Sequence, residues 1–159
     1  MKDIYPVLDE LHISYEKFEH PAVFTVEEAE KQVRGDGADS KNLFLRNRKG
    51  NVHYLVVVPA TKKVNLKNLE VQLSENNLSF ASPERMMKYL GLTPGSVSPF
   101  GLINDVNHEV HVVVDSELLQ SPKQAFHPNT NTATVVISTE DFKKFLDWTG
   151  NPVQYMEIS

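Results

Sequence analysis

Cysteine is absent from the 159 residues of this chain. That excludes disulfides, a thiolate nucleophile and any thiolate-bound metal, and makes a reducing compartment, the cytoplasm, the expected setting. Long apolar runs are missing too: no window approaches the length that crosses a bilayer. The opening Met1-Lys2-Asp3-Ile4-Tyr5-Pro6 has neither the basic flank nor the apolar stretch of a secretory signal. No glycine-rich loop runs into Lys-Ser or Lys-Thr, and no Gly-x-Ser-x-Gly surrounds Ser96 or Ser98. Neither a phosphate-cradling loop nor a serine nucleophile is therefore indicated. His108, Glu109 and His111 stand close together, but a strand would turn the two imidazoles to opposite faces, and no metal is expected there.

Acidic residues are missing from one stretch in particular. Between Lys41 and Leu69 there are seven Lys or Arg and no Asp or Glu, in a chain of net charge -5. Residues 1–40 carry ten acids against four bases, and residues 70–159 eleven against five. A cationic middle between acidic flanks points to a phosphate-bearing partner, the alternative being a solvated face. Arg46, Arg48, Lys49, Lys62, Lys63 and Lys67 are the candidate phosphate contacts. Hydrophobic residues at 40% and charged ones at 23% are globular values, and the length suits one domain over residues 1–159.

Ile4, Val7, Leu8 and Leu11 at helical spacing predict a short opening helix, followed by a strand over Ser14–Phe18. Thr25 and Glu28 form a capping box for a helix over Val26–Val33. Leu43–Arg46 and Val52–Val58 read as strands of a hairpin joined through Asn47-Arg48-Lys49-Gly50-Asn51. Asn65 caps a brief helix carrying Leu66, Leu69 and Leu73. Leu78–Ala81 is a short strand, and Ser82, Pro83 and Gly91 bracket the next helix. Thr93–Gly101, with two prolines and two glycines, predicts a stiff loop without regular structure. Strands over Val110–Val114 and Ala133–Ser138 come next, then a helix from a Thr139 cap to Trp148, stopped by Gly150. This irregular alternation, with connections too short for many parallel crossovers, favours an α+β, mixed-sheet domain over a doubly wound one.

Lys41 follows the polar Gly35-Asp36-Gly37-Ala38-Asp39-Ser40 and precedes a strand. Its ammonium is expected at a sheet edge, as a point charge for a phosphate or as a solvated surface group. His127 lies in Phe126-His127-Pro128-Asn129-Thr130-Asn131-Thr132, a polar loop where an imidazole can donate to a substrate oxygen or share a proton. Pro94 and Pro99 stiffen both ends of Gly95-Ser96-Val97-Ser98-Pro99, and Gly95 admits close approach to the main chain. Amides and carbonyls held and aimed at a ligand are one reading of that loop, and a tight structural turn is the other. Phe24, after the His20-Pro21 turn, is a candidate pocket wall.

Four segments taken in order carry a family likeness: His20-Pro21-Ala22-Val23-Phe24-Thr25-Val26-Glu27-Glu28-Ala29; Lys41-Asn42-Leu43-Phe44-Leu45-Arg46; Gly91 through Gly101 with Phe100-Gly101-Leu102-Ile103-Asn104-Asp105; and Phe126-His127-Pro128 with Thr130-Asn131-Thr132-Ala133-Thr134. Together they resemble the YbaK/ProX-type aminoacyl-tRNA editing domains, freestanding relatives of the insertion domain of bacterial prolyl-tRNA synthetase. The resemblance runs from about residue 5 to about residue 148. It implies a mixed α/β fold around a curved, barrel-like sheet with flanking helices, with no metal, no cofactor and no covalent intermediate.

The most similar branch is the prolyl-tRNA deacylase that hydrolyses alanine mischarged onto proline tRNA. Neighbouring branches take cysteine or serine, and a non-catalytic regulator binding tRNA or a synthetase would keep the same fold. Lys41 matches the family lysine that holds the phosphate of the terminal adenosine, and Asn42 follows it as in the family. Gly95–Pro99 matches the Gly-x-x-x-Pro substrate loop, Gly101 closes that segment, and His127 falls at a pocket histidine. In such a site the free 2′-hydroxyl of the terminal ribose helps activate water, so the protein supplies position and electrostatics. The implied partners are the acceptor end of mischarged proline tRNA and, as a candidate, prolyl-tRNA synthetase, with neither a membrane nor DNA. Two positions depart from the pattern: Asn47, where an acid is common before the turn, and the polar Asn129 after His127-Pro128.

Overall fold

The computed structural model describes residues 3–19, 37–130 and 132–158. The predicted Val26–Val33 helix with its Thr25/Glu28 box, and the pocket candidate Phe24, lie outside the described residues. In chain order the elements are α1 (Ile4–Glu10), β1 (Glu16–Glu19), β2 (Ala38–Arg46), β3 (His53–Pro59), α2 (Leu66–Leu73), β4 (Ser79–Phe80), α3 (Pro83–Leu90), β5 (Val110–Asp115), β6 (Lys123–Phe126), β7 (Ala133–Ser138), α4 (Thr139–Thr149) and β8 (Val153–Met156). Two 3₁₀ helices cover Pro99–Asn104 and Ser116–Gln120.

Helix ends follow local chemistry. The Asn65 and Ser82 side chains accept from the amides of Asn68 and Arg85, giving α2 and α3 the starts that the sequence predicts. The cap of α4 differs: Ser138 Oγ accepts from the Asp141 amide at 3.0 Å. Thr139, the expected cap, turns inward instead, donating to the Ser121 carbonyl and accepting from Gln124 Nε2 at 3.0 Å.

The strand order is β1-β7-β6-β2-β3-β5-β8, with β4 also paired to β2. The pairs β1–β7, β6–β7, β2–β3 and β2–β4 are antiparallel, whereas β2–β6, β3–β5 and β5–β8 are parallel. This is the expected mixed α/β architecture, but the sheet is not a closed barrel: β1 and β8 form its two ends. Parallel pairs are also more numerous than connection lengths suggested, because the crossovers contain whole elements. Between β3 and β5 run α2, β4 and α3, and between β5 and β8 run β6, β7 and α4.

Successive strand residues point to opposite faces, so β2, β3 and β5 feed two apolar clusters. Phe44, Leu55, Val57, Val112 and Val114 pack with Leu8 of α1, Leu90 of α3, Phe100 and Phe145 of α4. On the other face Leu45, Val56, Val58 and Val113 pack with Leu69 of α2 and Ile158. Covered on both sides, β3 and β5 carry the unbroken valine runs that a two-sided burial selects. Among the described residues no helix is long and apolar enough to cross a membrane.

Candidate active site

β2 begins at Ala38, so Lys41 lies inside a strand, opposite Val58 of β3, and not ahead of a strand at the sheet edge as expected. β3 pairs with β2 all along Ser40–Arg46, whereas on the other side β6 reaches only Ala38 and Asp39 and β4 only Leu45 and Arg46. Between those contacts, residues 40–43 have no strand partner on the far edge among the described residues. β6 runs parallel to β2 and ends at Phe126. Two residues past the last pair, Asp39 with Ala125, Lys41 therefore stands level in register with His127. β6 ends one residue past that pair while β2 runs on to Arg46, and the crevice proposed below is placed where the two part.

Alternation along β2 puts Ser40 and Asn42 on the face of Phe44, toward the larger cluster, and Lys41 on the face of Leu43 and Leu45. Ser40 Oγ and Asn42 Oδ1 are buried without a hydrogen-bond partner. Proteins rarely leave buried acceptors so, and ligand sites are among the exceptions.

Gly95 adopts φ 92°, and the Ser96 amide donates to the Thr93 carbonyl at 3.1 Å. With Pro94 second and glycine third, this is a tight turn that requires a residue free to take positive φ. Ser96 and Ser98 are buried, and Val97 packs on the larger cluster. The predicted irregularity ends sooner than expected: Ser98 Oγ accepts from the Phe100 amide at 3.2 Å and starts the 3₁₀ helix at Pro99. Proline suits that first position because its missing N–H would have had no helical partner. Gly101 lies buried inside this helix, where a Cβ would come within 2.6 Å of the Leu92 side chain and 3.1 Å of the Leu90 carbonyl. Its place is thus the close packing of the 3₁₀ helix on the end of α3.

His127 is half-buried, with Nδ1 3.2 Å from the Ala133 carbonyl. A carbonyl only accepts, so Nδ1 carries a proton. Asn129, at φ 63°, donates from Nδ2 to the Phe100 carbonyl at 3.4 Å, and its Oδ1 is buried without a partner. Phe100 and Phe126 meet edge to face at 5.8 Å. Those contacts fasten the loop after His127 to the segment after Pro99. Asn47 is buried too: its Oδ1 accepts from the amides of Gly50, Asn51 and Val52 at 2.9, 3.1 and 3.3 Å. An acid at this position would accept the same bonds, so the amide holds the turn without a charge.

The basic residues divide. Arg46, Arg48 and Lys49 surround the β2–β3 turn, the last two exposed, while Lys63 and Lys67 are exposed beside and on α2. Lys62 is committed within the protein. Its ammonium donates to Asp115 Oδ2 at 2.5 Å and the Ile158 carbonyl at 2.8 Å and sits 3.2 Å from Glu117. Its pKa is raised chiefly by the Asp115 hydrogen bond.

Counting charge along the chain misses Arg85 and Lys88, which lie on α3 beyond the acid-free stretch; their i, i+3 spacing after a strong cap was the available signal. Arg85 Nη1 donates to the Gly50 carbonyl at 2.9 Å and lies 3.1 Å from His53 Nε2. The His53 ring is buried 4.2 Å from that of Tyr89. Burial, then the charges of Arg85, Arg46 and Lys88, lower the His53 pKa to about 4. Among the described residues no three His, Asp or Glu are grouped to hold a metal.

A sequence profile described as an aminoacyl-tRNA editing domain matches residues 20–145. Over 152 residues the chain is 47% identical to the prolyl-tRNA editing protein ProX of Acetoanaerobium sticklandii, covering 95% of this chain and 93% of that one. Over 149 residues it is 40% identical to prolyl-tRNA synthetase associated domain-containing protein 1 of Mus musculus, covering 91% and 88%. Its fold matches a crystal structure described as a candidate trans-editing enzyme for prolyl tRNA synthetase, with a TM-score of 0.69 at 22% identity, covering 98% and 95%. The chain belongs to the aminoacyl-tRNA editing domain family.

Proposed function

We propose that the chain is a trans-editing deacylase that hydrolyses alanine mischarged onto proline tRNA. The observation that carries this reading is its 47% identity, over nearly the full length of both chains, to a protein named for prolyl-tRNA editing. The crevice between β2 and β6 fits the chemistry. Lys41 meets the phosphate of the terminal adenosine as a point charge. The α-ammonium of the alanyl group donates to the buried, unpartnered oxygens of Asn42, Ser40 and Asn129, charge-assisted bonds that gain strength away from water. The main chain of Gly95–Pro99 walls the pocket around the side chain.

Water attacks the ester carbon, negative charge develops on the carbonyl oxygen, and the bond from carbon to the ribose oxygen breaks as that oxygen takes a proton. The free 2′-hydroxyl orients the water, and Nε2 of His127 accepts within the same network. No side chain forms a covalent intermediate. Arg46, Arg48 and Lys49 follow the phosphates of the acceptor arm. The setting is the cytoplasm, where charged tRNA is used, with prolyl-tRNA synthetase as a partner.

Proline tRNA charged in turn with Ala, Cys, Ser and Pro, and followed for loss of the amino acid at limiting protein, tests the reading. Alanine should leave fastest and correctly attached proline should survive. A preference for cysteine or serine would move the chain to a neighbouring branch, and loss of none would leave a tRNA-binding regulator.

A further inference from the structure

Two guanidinium groups converge on Gly50 in the β2–β3 turn. A Cβ there would stand 2.7 Å from Nη2 of Arg46 and 2.9 Å from Nη2 of Arg85, so both pack where they do because residue 50 has no side chain. Main-chain carbonyls, rather than carboxylates, hold them. Arg46 donates from Nε to the Asn47 carbonyl at 3.2 Å and from Nη2 to the Arg48 carbonyl at 3.1 Å, while Arg85 donates to the Gly50 carbonyl at 2.9 Å. Among the described residues no carboxylate lies within ion-pair distance of either group.

Lys88, exposed on α3 at i+3 from Arg85, sits 5.2 Å over the Tyr89 ring. Arg85, Lys88 and Tyr89 line a shallow surface groove together with Ser82 and Glu84. Glu84 is the one carboxylate among those lining residues, so Arg46, Arg85 and Lys88 leave the patch net positive, and an anion relieves the repulsion between them. The planar fork of arginine suits the paired oxygens of a phosphate in particular.

We propose that Arg46, Arg85 and Lys88 form a phosphodiester-binding site for an RNA backbone, separate from the crevice that hydrolyses the ester. This rests on the reading of the chain as a tRNA-editing enzyme. Arg46 lies on the same face of β2 as Asn42, about 13 Å further along the strand. An RNA whose 3′ end enters the crevice therefore passes within reach of the turn. Two of the three cations come from α3, outside the acid-free stretch, and Lys62 takes no part.

The test is equilibrium binding of uncharged, fluorescently labelled proline tRNA, read by anisotropy over a series of salt concentrations, with thermal unfolding run in parallel. For Arg46→Gln, Arg85→Gln and Lys88→Gln the slope of log affinity against log salt should each fall by about 0.7 to 0.9. Affinity at low salt should drop on the order of 5-fold per variant. Lys88→Gln removes an exposed charge with no hydrogen bond among the described residues, so it carries the test if an arginine variant fails to fold. Unchanged slopes in folded variants would overturn the site, even if the protein releases alanine normally. Reduced slopes in a protein that releases no amino acid would support the site and remove the hydrolytic reading instead.

Discussion

The side-chain amide of Asn129 donates to the main-chain carbonyl of Phe100 at 3.4 Å, and this bond ties the loop that follows His127 to the helix that follows Pro99. Asn129→Ala removes this bond, at a cost of about 0.5 to 1.5 kcal/mol. The larger expected effect is on selectivity, since the two walls of the proposed pocket are no longer held together. Proline release should rise relative to alanine release. Asn129→Asp keeps the shape but has no donor, and should do no better than alanine. An unaltered Ala-to-Pro ratio in either variant would show that the bond is only structural.

Lys41→Ala should remove a half-buried point charge while leaving the fold intact, with a stability change below about 1 kcal/mol. Losing a charged phosphate contact of about 1.5 to 3 kcal/mol corresponds to a fall of about 10- to 100-fold in deacylation under single turnover. Near-normal turnover by the folded variant would take Lys41 out of the site.

His53 gives the fold a predictable acid sensitivity. Its ordinary pKa of 6.5 is lowered to about 4 in the folded chain by burial, then by Arg85, Arg46 and Lys88, with Asp105 acting in the opposite direction. Between those two values the unfolded chain binds the extra proton, so this contribution to stability is complete above about pH 6.5 and is lost as pH falls toward 4. A shift of that size corresponds to up to about 3 kcal/mol. Denaturant unfolding across this window should show a shallower pH dependence for His53→Gln than for the parent chain. Parallel slopes would mean that the imidazole does not titrate as argued.

Lys62→Ala separates a structural lysine from an RNA contact. Asp115 is fully buried, and removing its partner leaves an uncompensated charge, at a cost of about 3 kcal/mol. Replacing both, as Lys62→Met with Asp115→Leu, should recover part of that loss. The salt dependence of tRNA binding should not change in either folded protein. A reduced slope would return Lys62 to the phosphate contacts.

Local chemistry made much of the fold legible. Asn65, Ser82 and Gly91 announce the ends of α2 and α3, and the valine runs announce β3 and β5. β6 was not legible, because Lys123-Gln124-Ala125-Phe126 is four residues long and half polar. It becomes a strand by pairing with β2 and β7, which are distant in sequence. β8, just as short, owes its place to β5. The start of β2 was missed for a related reason: Asp39, Ser40 and Asn42 favour turns, and pairing with Ala125, Pro59 and Val57 respectively overrides that preference. The candidate site was therefore readable as residue types in four motifs, whereas the level relation of Lys41 to His127 depends on a parallel register that no local signal carries. Arg85 escaped because charge was counted along the chain, while the β2–β3 turn folds back against α3.

Gly95 offers the sharpest test of how the pocket selects its amino acid. At φ 92° an alanine is strained by about 1 to 2 kcal/mol, and the strain relaxes by shifting the turn whose Ser96 amide bonds the Thr93 carbonyl. The displaced backbone is the proposed pocket wall, against which the bulkier proline ring would clash. Exclusion of this kind is lost by small movements, whereas contacts to a methyl group are worth only about 1 to 3 kcal/mol. Gly95→Ala should therefore release proline from tRNA measurably faster while alanine release falls modestly. Pro94→Ala keeps the turn accessible and removes only its stiffness, so its effect should be smaller and in the same direction. A Gly95→Ala protein that is destabilised as expected but keeps the parent Ala-to-Pro ratio would show that the loop supports the pocket without sieving its contents.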